Sequence, residues 1–250
     1  NSWNAEAGVK QFYKFGNLSG FADIAGFRQE YENFVEFNAG QWGTSADPAE
    51  NLGFKFLNTG RARVTGCDFS FAGQWKKSED SGIDFYGGYT FSLPVTLEPD
   101  YYYYSDTTVR AYFGKVDTLI VPLSYRRTAS DTTGHILKYR IQHLAKLDIE
   151  VKRKKLIGGI SARYYSYMRN IDKFFYSMDE LDLFDTGIAS YREINNDGTF
   201  MFDCRIGYAF KENIRLSLVV NNMFNKEFSL RPLTVESPRT IALQFILKTG

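Results

Sequence analysis

Apolar and polar residues alternate with a period of two along most of this chain. In the segment 3–15 one parity reads Trp3, Ala5, Ala7, Val9, Gln11, Tyr13, Phe15, and the other Asn4, Glu6, Gly8, Lys10, Phe12, Lys14. From Ile141 the set Ile141, His143, Ala145, Leu147, Ile149, Val151 opposes Gln142, Leu144, Lys146, Asp148, Glu150, Lys152. Phe200, Phe202, Cys204, Ile206 and Tyr208 alternate with Met201, Asp203, Arg205 and Gly207, while Ile214, Leu216, Leu218 and Val220 alternate with Arg215, Ser217, Val219 and Asn221. This is the signature of strands whose two faces meet different surroundings, and no helical stripe competes with it.

The pattern predicts nine long strands, ending near Phe15, Phe37, Trp75, Leu93, Arg153, Asp172, Phe210, Phe224 and Lys248. Their connections alternate between short (16–18, 76–81, 153–155, 211–213) and long (37–58, from Pro94 onward, 173–198, 225–237). A sandwich has no reason to place every long loop on one side. A transmembrane β-barrel does, because its turns are tight on one side and its loops long on the other. The expected fold is therefore all-β, an antiparallel transmembrane β-barrel to which this chain supplies about nine strands. Aromatics bracket the strands, as Trp3 with Tyr13 and Phe15, and Phe200 with Tyr208 and Phe210, in the manner of interfacial girdles.

Composition explains why a hydropathy scan misses such a wall. Mean hydropathy is −0.33, and no run approaches the ~20 apolar residues of a membrane helix. Yet the chain holds 17 Tyr and 22 Phe. Half of each wall strand faces water, which keeps the average polar. A net charge of +1 argues against a nucleic-acid binder held by phosphate contacts. Nine strands is an odd number, and an open sheet in lipid leaves edge groups unsatisfied. Residues 1–250 are thus expected to be one portion of a larger barrel, in the cell outer membrane and crossing it many times.

Enzyme chemistry finds little support. His143 falls on an apolar parity suited to a girdle, and His135 is expected to begin a strand; no zinc-type His spacing, nucleophile elbow or phosphate loop occurs. No catalytic residue, metal site or cofactor is expected. Cys67 and Cys204 fall four strands apart, roughly 19 Å at ~4.8 Å per strand, too far for a disulfide. Ligand chemistry is sought instead in the long loop after Pro94, where Tyr101, Tyr102, Tyr103, Tyr104, Tyr125, Arg110, Arg126 and Arg127 would stack on and pair with an anionic aromatic ligand such as a ferric chelate. The competing reading has them packing the loop. Lys10, Asp148, Arg163, Asp203, Arg205 and Arg215 are expected to face the lumen or a plug, as a polar network in the wall. By the same parity, arginine at Leu218 should be costly and at Ser217 mild.

The closing stretch 203–208, then Leu218-Val-Val-Asn-Asn-Met-Phe-Asn-Lys-Glu-Phe228, Leu230-Arg-Pro232 and Pro238-Arg-Thr240, resembles the last strands of TonB-dependent outer-membrane receptors. The likeness extends back through Tyr89-Thr-Phe-Ser-Leu-Pro94, Tyr139-Arg-Ile-Gln-His143 and Asn170-Ile-Asp172 to the segment 22–26. It implies a 22-stranded barrel of the siderophore or ferric-citrate type around an N-terminal plug, of which these would be the last nine strands, with plug and earlier strands outside this chain. It also implies active import of a scarce nutrient. The implied partners are the rest of the same receptor, TonB through the absent N-terminal region, outer-membrane lipids and a surface lipoprotein. The short turns would be periplasmic. A passive porin-like or structural barrel is the alternative.

Overall fold

The computed structural model describes residues 1–42, 50–112, 115–180, 186–211 and 213–247, with side chains left aside over 105–121. The wall consists of β1 (Ser2–Phe15), β2 (Leu18–Tyr31), β5 (Ala62–Ser78), β6 (Ser81–Thr96), β9 (His143–Arg153), β10 (Leu156–Tyr165), β11 (Thr199–Lys211), β12 (Ile214–Asn221) and β13 (Thr240–Leu247). They form a single nine-stranded sheet in that order, each strand antiparallel to its neighbours. Two hairpins stand apart from it: β3 (Val35–Gln41) with β4 (Leu52–Asn58), and β7 (Tyr104–Tyr112) with β8 (Lys115–Leu123). Short helices α1 (Tyr125–Thr128), α2 (Phe174–Glu180) and α3 (Ile188–Ile194) lie in the long loops. No helix among the described residues is long and apolar enough to cross a membrane.

Three expected strand ends need correction. Phe37 belongs to β3, because β2 stops at Tyr31 and the chain enters a separate hairpin; β3 alternates as well, so a period of two does not reveal the change of sheet. Asp172 lies beyond the end of β10 at Tyr165. There the Ser166 hydroxyl accepts the amides of Gln142 and His143 at 3.2 and 3.1 Å, closing the strand pair. Phe224 follows β12, which ends where Asn222 turns at φ 49°. The end expected at Lys248 falls outside the described residues. His135 does not begin a strand but closes a 3₁₀ turn, Thr133–His135.

Register assigns each residue a face, since directly paired residues point the same way. One row runs Val9, Ile24, Phe69, Tyr89, Ala145, Tyr164, Phe200 across seven strands. Another joins Ile206, Leu218 and Leu243. Most of these side chains stay open, with Val9 at 68% and Leu243 at 71% exposed, while Ala145 and Tyr164 are half-buried. A continuous apolar face of this size belongs against lipid. On that face Tyr13, Phe15, Trp75 and Tyr208 lie toward the short turns, while Trp3, Tyr89 and Phe200 lie toward the long loops. Trp3 and Tyr13 are ten positions apart, which on a tilted strand gives an apolar band of roughly 25 Å. His143 sits in the upper row, its Nδ1 2.7 Å from the Tyr89 hydroxyl. Cys67 on β5 and Cys204 on β11 are free, and three strands separate theirs in the sheet.

The packed core is not between sheets but in the loops. Ala39, Ile171, Phe175 and Ile188 form it, with Met168, Tyr139, Phe174 and Tyr176 against them. The loops after β2 and β10 thus hold each other over one end of the wall.

Candidate functional site

The polar face carries a set of paired charges. Arg205 spans two strands to clamp Asp148 with Nη1 and Nη2, each at 2.8 Å, and reaches Glu150 with Nε at 2.9 Å. It lies flat across Gly159, where an added Cβ would come within 2.5 Å of its Cζ; only glycine admits that path. Ser161 donates to Asp148 from the strand between. Arg163 binds Asp203 at 2.7 Å, and the other Asp203 oxygen accepts the Asn222 amide at 2.8 Å, fixing the start of the last loop. Arg215 donates to Ser217 at 3.1 Å. Lys10 sits over the Phe21 ring, 3.8 Å from its centroid. Lys10 and Arg163 fall in one transverse row with Asp23, Ser70, Gly88 and Lys146, and strand parity puts Asp148, Asp203, Arg205 and Arg215 on that same face. Most of their charge is spent within the wall.

At the long-loop end a buried polar node ties four segments. Lys138 and Asp172 pair at 2.5 Å with both side chains fully buried. Lys138 also donates to Asn38, and to Thr128 at 3.2 Å. Asp172 accepts the Tyr139 hydroxyl and the Ala39 amide, the latter at 2.7 Å. Beside it, Tyr125 donates to the Ile136 carbonyl at 2.6 Å, and Asn170 donates to the Tyr125 hydroxyl and to that same carbonyl. Burial pushes the Tyr139, Tyr103 and Tyr125 hydroxyls up from their ordinary range, so they serve as donors. Sequence reasoning missed Lys138, Asp172, Asn38 and Glu36. The one available signal was Asp172 in the Asn-Ile-Asp run.

The loop candidates divide by exposure. Tyr101 and Tyr102 are open, at 45% and 62%. Tyr103 bonds Thr128 at 2.7 Å and donates to Asn38 at 3.2 Å, which docks it into the node. Tyr104 meets Trp42 edge-on, with ring centroids 5.4 Å apart, and Lys55 donates to its hydroxyl at 3.3 Å. Tyr125 is buried, with its hydroxyl occupied as above. Arg126 grips Asp100 at 2.7 and 3.1 Å, which holds that carboxyl below the usual range, and Arg127 reaches the Pro122 carbonyl at 3.4 Å. The side chain of Arg110 lies outside the described residues. The structure thus brings Tyr103, Tyr104 and Tyr125 into the loop packing and leaves Tyr101 and Tyr102 facing solvent.

Two cavities open among the loops. One of about 290 Å³ is lined by Tyr165, Tyr167, Ile188, Tyr191, Arg192 and Phe228, among others. Arg192 stacks over Tyr167 and donates to Tyr176 and the Met168 carbonyl. The other, about 600 Å³, lies between hairpin β3–β4, the stretch 138–141 and the stretch 230–234. Among the described residues no cluster of His, Cys, Asp and Glu is arranged to hold a metal ion.

Comparison with known proteins agrees with this architecture. The sequence profile of a family described as "TonB dependent receptor-like, beta-barrel" matches residues 1–223. No curated protein is similar enough in sequence to match. Among solved structures, the ferric-catecholate import receptor Fiu of E. coli K12 superposes with a TM-score of 0.56 at 17% identity, covering 98% of this chain and 27% of that one. The siderophore receptor PiuA of Acinetobacter baumannii gives 0.56 at 16%, covering 98% and 28%. FpvA of P. aeruginosa, solved with bound pyoverdine and iron, gives 0.52 at 14%, covering 98% and 27%. At these identities the likeness concerns the fold. This chain spans about a quarter of the length of the receptors it matches.

Proposed function

This chain belongs to the TonB-dependent receptor β-barrel family, and from that premise we propose that it forms wall and outer loops of a receptor that imports a scarce nutrient, such as a ferric chelate, across the outer membrane. The observation that carries the reading is the pairing of two features. The sheet has an apolar face fit for lipid, while on its opposite face Arg205, Asp148 and Glu150, and Arg163 and Asp203, are paired with one another. Such an inner face suits contact with a hydrated plug better than free ion flow, because charges already paired exert a weak field on passing solutes. All long loops gather at one end, where the exposed Tyr101 and Tyr102 present stacking surfaces. On this reading they belong to the outside, together with Arg110, Arg126 and Arg127. Lys10, Asp148, Arg163, Asp203, Arg205 and Arg215 face the lumen and plug. TonB is contacted through a region other than this chain, and a surface lipoprotein is a further candidate partner.

The test is uptake of ⁵⁵Fe-labelled chelates by cells expressing the full receptor. Saturable accumulation that vanishes when TonB is deleted is expected. Accumulation linear in concentration and indifferent to TonB would instead favour a passive pore.

A further inference from the structure

Alternation along β3 turns Val35 and Phe37 outward and Glu36 and Asn38 inward, toward the buried node. Glu36 is only 3% exposed, and its Oε1 has no hydrogen-bond partner among the described residues. The charged groups around it are already engaged. Lys138 gives its ammonium donors to Asp172, Asn38 and Thr128. Arg140 is exposed and donates to the Tyr139 carbonyl. Asp172, from the loop after β10, brings a second buried carboxyl to the node. Tyr103, Tyr125 and Tyr139 stay neutral, their hydroxyls bonded to Thr128 and Asn38, to the Ile136 carbonyl and to Asp172 respectively. Among the described residues, two buried acids thus meet one buried ammonium, and Asp172 holds it.

We propose that Glu36 is a proton-operated latch on the long loops: protonated, it lets hairpin β3–β4 dock into the loop core, and ionised, it drives the hairpin out. A neutral carboxyl in that position leaves only a hydroxyl unmet. An ionised one leaves an uncompensated charge in a dry site, which costs far more. The carboxyl therefore keeps its proton while the hairpin is docked and releases it when the hairpin swings into water. Its acidity agrees: burial above all raises the Glu36 carboxyl from its ordinary range, with Lys138 and Arg140 pulling it down and Asp172 pushing it up. The docked form holds the proton more tightly than the undocked form. Docking is consequently firmest at pH below the ordinary glutamate range, and it weakens as pH climbs from there to the raised value. Hairpin β3–β4 also forms one wall of the cavity of about 600 Å³, so undocking opens that cavity. The latch is independent of what the receptor imports.

The Ala39 amide, 2.7 Å from the Asp172 carboxylate, reports docking. Its hydrogen exchange is measured on the full receptor in detergent and divided by the rate of an unfolded amide at each pH. The range runs from about pH 5, just above the ordinary glutamate value, to about pH 9, the upper end for a buried one. A single proton coupled to undocking should raise the opening constant by up to about tenfold per pH unit within that range. Glu36→Gln, uncharged at every pH, should exchange slowly and without that slope; Glu36→Met takes its place if Glu36→Gln does not fold. The wall amides of β10 should show no such slope in either protein. A flat profile for the unmodified receptor overturns the latch, and so does a slope that survives in the uncharged variant or is matched at β10.

Discussion

Lys138 and Asp172 sit 34 positions apart in sequence, and neither side chain reaches solvent. Two charges so placed are tolerated because every partner is present: the Asp172 carboxylate takes an ammonium, a phenol and a backbone amide. Removing one partner leaves the other charge buried and uncompensated, which costs about 3–5 kcal/mol. Lys138→Met should therefore loosen the loop cap, and hydrogen exchange of the Ala39 amide should speed up by at least about a hundredfold on that arithmetic. Unchanged Ala39 protection would show that the node does not hold the hairpin. Beyond Asp172 in its Asn-Ile-Asp run, none of this was legible in the sequence. Local periodicity reports which face a residue takes, but a pair brought together by two loops leaves no periodic trace. The half-buried charges of the wall tell the opposite story: alternation alone placed Asp148 and Glu150, and separately Arg205, on the polar parity of their strands, and the register puts them together.

The wall strands were readable because lipid and water impose opposite demands on alternate residues along the whole length of each one. Their ends were less so. β3 alternates like a wall strand, and what separates it from β2 is a break in pairing partners. Glycine gives a second element-level device. On the lipid face the Phe71 ring of β5 lies across Gly87 of β6, so that a Cβ there would come within 2.4 Å of the ring. The aromatic ring covers backbone that would otherwise go unpacked in the pair. Gly87→Val should displace Phe71 and cost about 1–3 kcal/mol as an overpacking change, seen as a lower urea midpoint for the refolded barrel. No change in midpoint would mean the ring has room to move. Side-chain crowding also revises an expectation from parity. Ser217 points to the polar face but is 2% exposed, accepting from Arg215, so arginine at Ser217 would meet like charge in a tight space and is not mild.

At the scale of the whole molecule, the apolar face of the nine-stranded sheet is the one that meets lipid. Leu218 is 41% exposed on the apolar face, between Ile206 and Leu243. Gln244, paired with Ser217 on the next row, is exposed on the polar face, and it replaces Ser217 as the inward control. Arginine on the lipid face near the midplane costs about 2–4 kcal/mol, whereas an inward substitution spares the membrane contact. The decisive measurement is urea unfolding from liposomes of the full receptor carrying Leu218→Arg or Gln244→Arg. Leu218→Arg should lose about 2–4 kcal/mol and Gln244→Arg less than about 1 kcal/mol. Equal losses, or the larger loss at Gln244, would contradict this, because the apolar face would then not be the one in lipid.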